Sequence, residues 1–207
     1  MTKAVMAHPD WVIGYGDEVW WSRFAQPNMH SWVEEEQQLR LVEQIKGKED
    51  PGPKALACYG ILLRWWPPKR QEQEKALLRF VDGRPVSAIS IQYLEWACQK
   101  ITEMGVSVLV LVWDNASWHV SQMVRAWIHE HNRQAKKCAR GVRILLCYLP
   151  VKSPWLNPIE PKWVHGKRKV LEPNRTLSAQ ELVDRVCGVF CCDHEPHLAL
   201  PIPENVP

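Results

Sequence analysis

From Val106 to Trp113 the chain reads Val-Ser-Val-Leu-Val-Leu-Val-Trp, apolar and β-branched almost throughout, and Asp114-Asn115 ends it. A segment of this kind is what a strand buried on both faces requires, and such strands belong to parallel sheets covered by helices. The surrounding sequence supplies those helices. Ser87 to Met104 places Ile91, Leu94, Cys98 and Ile101 at helical spacing, and Gly105 can take the left-handed cap. Ser121 caps a second helix, expected to run to about Asn132 with Val124, Trp127 and Ile128 inward. Val142 to Leu149 reads as another buried strand, and 158–171 and 178–192 read as helices.

The N-terminal half is richer in strand signals. Trp11, Ile13, Tyr15, Asp17, Val19 and Trp21 alternate onto one face of a strand within 10–24. Ser31 to Val33 reads as a second short strand, and 34–53 as a surface loop or short helix closed by Asp-Pro-Gly-Pro. Lys54 to Leu63 reads as a third strand, and Phe80 to Pro85 as a tight Asp-Gly turn between short extended pieces. Pro196 to Pro207 reads as a loose, proline-rich tail. Strands first, then helix, strand, helix, strand, helix, argue an α/β domain over 1–195 with a partly parallel sheet and right-handed crossovers.

Composition narrows the function classes. No apolar stretch approaches the 18 or so residues of a membrane span. Met1 to Asp10 lacks the pattern of a secretory signal. Seven cysteines without framework spacing read as reduced thiols in a cytosol. Cys187, Cys191, Cys192, His194 and His197 are zinc-like residue types, but without a CxxC pair they read as a helix end and a polar tail. The net charge is only +3, yet the basic residues are clustered. Arg133, Lys136, Lys137, Arg140 and Arg143 form one run, and Lys162, Lys167, Arg168 and Lys169 another. Two such runs flanking one site suit a phosphate backbone. Twelve tryptophans are scattered without period and read mainly as core, with a few available for stacking on bases.

Three carboxylates stand out by position. Asp114 follows the buried strand, where sites in open α/β sheets collect. Glu160 lies three residues after Asn157 in Ser153-Pro-Trp-Leu-Asn157-Pro-Ile-Glu160, a rigid approach to a helix with Asn157 as N-cap and Pro158 in its first position. A capping box, in which Glu160 reaches back to the Asn157 amide, is the competing structural role. Asp17 is the one charge on the inward face of the first strand, which is costly unless paired or metal-bound, whereas Glu18 points to the opposite face. Together the three would make a hard oxygen site for Mg²⁺. Two such ions about 3.5–4 Å apart serve phosphodiester chemistry.

Gly-Tyr-Gly-Asp17-Glu18, Val-Trp-Asp114-Asn115-Ala-Ser-Trp-His119 and the string ending in Glu160, in this order, resemble the DDE endonuclease domain of mariner-like transposases and their bacterial insertion-sequence relatives. The resemblance covers roughly residues 10 to 170. It implies a ribonuclease H-like fold, a mixed five-stranded sheet with helices on both sides. It implies cleavage of double-stranded DNA at transposon ends and strand transfer into a target, dependent on two Mg²⁺ or Mn²⁺ ions. Asp17, Asp114 and Glu160 match the family's metal ligands, while Asn115, His119 and Asn157 are expected behind them. A homodimer on DNA and a cytoplasmic, nucleoid-associated bacterial protein are implied as well.

Two departures accompany the match. Forty-five residues lie between Asp114 and Glu160, more than in such relatives, and the extra length is expected as a surface insertion in Glu130 to Arg143. Nothing upstream of Asp17 could hold the helix-turn-helix region that recognises transposon ends. A truncated frame, a split gene with a separately encoded helix-turn-helix protein, and a decayed copy all stay open. Besides a transposase, a purely hydrolytic ribonuclease H-like nuclease and a DNA-binding remnant without transposition activity remain to be distinguished.

Overall fold

A computed structural model describes residues 2–24, 45–67, 71–170 and 175–200. The short strand expected at Ser31 to Val33, and residues 34–44, lie outside the described residues.

One mixed sheet organises the molecule. Its strands are β1 (Trp11–Ser22), β2 (Ala55–Trp65), β3 (Gln73–Asp82), β4 (Val108–Trp113), β5 (Arg143–Tyr148) and β6 (Leu198–Ala199), in the order β5-β4-β1-β2-β3-β6. β1, β2 and β3 form an antiparallel meander, and β4 and β5 extend it in parallel from β1. The helices are α1 (Thr2–Met6), α2 (Ser87–Glu103), α3 (Gln122–Cys138), α4 (Glu160–Val170) and α5 (Ala179–Phe190). The pleat divides the apolar residues between two faces. Val12, Tyr59, Ile61, Leu63, Leu109 and Leu111 meet α2 and α3 on one side. Val19, Trp21, Cys58, Leu62 and Phe80 meet α4 and α5 on the other. This is the expected ribonuclease H-like α/β class, with six strands among the described residues in place of five.

The differences in detail have physical causes. β3 is a ten-residue strand where only short extended pieces were expected; it opens with the exposed Gln73-Glu74-Lys75, which hides it from an apolar pattern. Its Asp-Gly end is not a hairpin, since Gly83 (φ 115°) turns the chain directly into α2. Gly105 (φ 75°) closes that helix as expected, its amide donating to Thr102 O at 2.9 Å. β5 is not buried but forms the sheet edge, with Arg143 and Leu145 exposed. Leu198–Ala199 is no loose tail either: it pairs in parallel with Val81 and Asp82.

α3 continues to Cys138, past the end expected at about Asn132, so most of Glu130 to Arg143 is helix. Gln, Ala and Lys favour helix there, and Lys136 and Lys137 complement the dipole at its C-terminus. Polar contacts fasten this half where apolar ones end. The Asn132 side chain donates to Ile144 O (2.8 Å) and accepts from Ile144 N (2.7 Å). Among the described residues, no helix is long and apolar enough to cross a membrane.

Candidate active site

β1 pairs with β4 only from Trp11 to Tyr15, and β4 then ends at Trp113. Just past that divergence, β1 carries Asp17 and β4 hands over to Asp114. Glu160 arrives from the first turn of α4. All three line one cavity of about 360 Å³, together with Asn115, Asn157 and the segment Leu149 to Pro154.

The approach to α4 differs from a simple N-cap. Pro154–Leu156 forms a 3-10 turn, and the Asn157 amide donates to Pro154 O at 2.8 Å. That amide is thus committed to the turn, and the Glu160 carboxylate is not drawn into a capping box with it. The Asn157 side chain is buried and donates to Gly16 O at 2.9 Å, locking the start of α4 to β1 one residue before Asp17.

Asp17 lies opposite Gly60 on β2. A Cβ at Gly60 would overlap the six-membered ring of Trp163, so glycine there lets the indole lie close against the sheet. From this place Trp163 Nε1 donates to Asp17 Oδ2 at 2.9 Å. The indole does not offset the rest of the surroundings. Burial, then the Glu160 and Glu18 carboxylates, push Asp17 up to about 7. Burial also raises Glu160, against the opposing charge of Lys167. A buried oxygen site that disfavours its own ionisation is suited to a cation.

Asp114 is held differently. Its Oδ1 accepts from Ala116 N at 3.0 Å and lies 2.6 Å from His119 Nδ1. His119 is fully buried, stacks on Trp113 at 3.7 Å between ring centroids, and places Nε2 2.6 Å from Glu18 Oε1. Hydrogen bonding to His119 holds the Asp114 carboxyl below its usual range. The His119 imidazole is raised: burial opposes its charge, and the bonds to Asp114 and Glu18 more than compensate.

The structure brings Asp17, Asp114, Glu160 and Asn157 together at the cavity, with Asn115 on its wall and His119 directly behind Asp114. Asn115 ties the two strand ends together, Nδ2 donating to Leu149 O at 2.6 Å. Among the described residues, no three carboxylate, histidine or cysteine side chains already stand close enough to share one ion. The basic clusters separate. Lys167, Arg168 and Lys169 are exposed on α4, whose first turn carries Glu160, while Lys162 pairs with Glu74. Arg133, Lys136, Lys137, Arg140 and Arg143 lie at the far end of the sheet. Arg143 is level with Val108, six residues and roughly 20 Å along β4 from Asp114. They do not flank the cavity. Two residues of the site escaped sequence reasoning. Trp163 sits one helical turn after Glu160, a spacing that puts both on one face. Glu18 was set aside because it faces away from Asp17, yet that same alternation aims it at His119.

The fold and this cavity define a ribonuclease H-like domain with an acidic site where its two central strands part. A family model for the DDE superfamily endonuclease matches residues 70–183, more than half of the chain, and the chain belongs to that family. The match takes in Asp114 and Glu160. Among solved structures, the chain is similar to the Mos1 transposase paired-end complex with left transposon end, at 16% identity and TM-score 0.58, over 89% of this chain and 48% of that one. It is also similar to the Mos1 strand transfer complex (14%, TM-score 0.57, 89% and 48%) and to the Mos1 mariner paired end complex with Mn (16%, TM-score 0.53, 88% and 48%). At these identities the likeness is one of fold, and the chain spans about half the length of the transposase chains it matches. No curated protein matches the chain.

Proposed function

We propose that this chain is the catalytic domain of a DNA transposase, cutting double-stranded DNA at transposon ends and joining it to a target. The observation that carries the reading is the convergence of Asp17, Asp114 and Glu160 on one cavity from two diverging strands and a helix start. Their chemistry fits Mg²⁺ or Mn²⁺, which take one or two carboxylates and otherwise bind water and phosphate oxygens. A ready-made cage of three side chains is therefore not needed. Two such ions, held by Asp17, Asp114 and Glu160, would activate an attacking oxygen and stabilise the leaving one. The chain's own groups do the positioning. Trp163 holds Asp17 by Oδ2, His119 and Ala116 hold Asp114 by Oδ1, and Asn157 keeps α4 in register with β1.

Lys167, Arg168 and Lys169 are proposed to meet phosphates beside the cleaved bond. The 133–143 cluster is proposed to meet phosphates farther along the duplex. A homodimer on DNA, a separately encoded helix-turn-helix partner and a bacterial cytoplasmic, nucleoid-associated setting belong to the same reading.

The test is an assay with Mg²⁺ on duplex DNA carrying the ends of the element. Nicks and strand-transfer products are expected from the wild type, and D114A is expected to lose both while still binding DNA without sequence preference. Nicks without joined products would point to a hydrolytic nuclease, and metal-independent binding alone to a DNA-binding remnant. Loss of binding together with cleavage in D114A would make Asp114 a structural residue.

A further inference from the structure

Behind the cavity lies a buried chain of polar groups that phosphodiester chemistry does not itself require. Glu18 points away from the cavity, with a side chain only 8% exposed. Both of its oxygens are taken: Oε1 lies 2.6 Å from His119 Nε2, and Oε2 accepts from Trp118 Nε1 at 3.3 Å. His119 has no exposed surface, so it cannot touch a substrate, and its other nitrogen is spent on Asp114. Trp113 covers one face of the ring. The ring is thereby fixed at both nitrogens and across one face. Among the described residues, the bonds that reach Asp114 come from His119 Nδ1 and from Ala116 N, and both go to Oδ1. Neither goes to Oδ2.

We infer that Glu18 is a positioning residue that, through His119, holds Asp114 with Oδ1 occupied and Oδ2 left to bind a divalent cation. This rests on the metal-site reading above and adds to it the group that sets the geometry of one ligand. A carboxylate free to rotate about its last bond offers either oxygen and loses that freedom on binding a metal. One already held by a fixed ring has lost it in the fold. Partners behind a ligand commonly change metal affinity about 10–100-fold when removed. Burying a carboxylate on a strand is costly without partners, and the Glu18 partners are the ring that holds Asp114 and an indole beside it.

The experiment is titration of Mn²⁺ into the metal-free full chain by calorimetry, with melting and metal-free DNA binding measured alongside. E18L removes both Glu18 contacts while filling their space. It is expected to bind Mn²⁺ about 10–100-fold more weakly while still folding and binding DNA. E18Q keeps the arrangement without the charge: its amide N–H donates to His119 Nε2, its amide oxygen accepts from Trp118, and His119 Nδ1–H still donates to Asp114. E18Q is therefore expected to recover most of the affinity. Should E18L not fold, E18A carries the same expectation, since it leaves a gap beside His119 in place of an apolar contact. Wild-type affinity in folded E18L or E18A overturns the inference, and so does an E18Q as weak as they are. D114A separates the two levels. If D114A loses Mn²⁺ and E18L keeps it, Glu18 alone was misread. If D114A keeps it, the metal site itself is wrong and the role of Glu18 goes with it.

Discussion

Of the three cavity carboxylates, Asp17 is the one whose surroundings most oppose its own charge. Its folded pKa of about 7 lies above an unfolded value near 3.9, so between these the folded state holds the extra proton. The contribution of Asp17 to the stability of the metal-free protein must then fall as pH rises from about 4 to about 7. The raised Glu160 acts in the same direction through the acid range. The raised His119 acts likewise above about 6.5, where its contribution fades as the ring loses its proton. Asp114 has the opposite sign, but its lowered pKa adds a slope only below about 4 and leaves this window untouched. D17N removes the largest part of the effect and keeps an oxygen for the Trp163 indole. The expected result is an inactive protein that melts higher than wild type at pH 7.5 without metal, by about 2–4 °C for each kcal/mol relieved, with a flatter pH profile. A lower melting point for D17N would mean that the charge at position 17 supports the fold.

At the scale of elements, the site depends on how α4 is seated on β1, and one side chain makes that joint. Asn157 is buried, and its amide supplies the side-chain donor to the Gly16 carbonyl. N157A is expected to cost about 1–3 kcal/mol, the usual range for leaving a buried polar group unpaired. Because Glu160 follows on the same turn, Mn²⁺ affinity should drop with it; denaturant midpoints and titration together check this. An N157A protein with lower stability but wild-type affinity would mean that α4 is seated by its apolar contacts alone. The sequence revealed this element well. Ser-Pro-x-Leu-Asn-Pro-Ile-Glu is rigid and ends at a helix, and β4 was readable because both its faces are apolar. What escaped was specified by polar or non-local contacts. The second half of α3 is tied to β5 through Asn132, which no apolar period reports. β3 begins with charged residues, and β6 is two residues long and needs β3 to exist at all. The site was half legible for the same reason. Strand alternation found Asp17, but the partnership of Glu18 with His119 spans about a hundred residues of sequence and exists only in the fold.

At the scale of the whole molecule, the proposed partner is a long, evenly charged duplex, and the exposed basic residues stand in two separate places. The net charge is only +3, so attraction must be local. α4 presents Lys167, Arg168 and Lys169 to solvent on the helix that carries Glu160. At the far end of α3, Arg133 is engaged by Glu130, while Lys136, Lys137 and Arg140 are exposed. If the α4 residues meet phosphates beside the cut, each contact removed should reduce the slope of log affinity against log salt by about 0.9, whatever the DNA sequence. K167A/R168A/K169A should therefore bind more weakly, lose salt sensitivity and cleave slowly even at saturating DNA, because the phosphates beside the bond are no longer held. K136A/K137A/R140A acts roughly 20 Å away, the length of about six base pairs at 3.4 Å each. It should weaken binding to long duplexes, leave short ones that only cover the cavity unaffected, and cleave normally once DNA is saturating. Fluorescence anisotropy at several salt concentrations on duplexes of two lengths separates the two surfaces. Equal effects of both triple variants on short DNA would show that the duplex does not run along the sheet from the cavity toward α3.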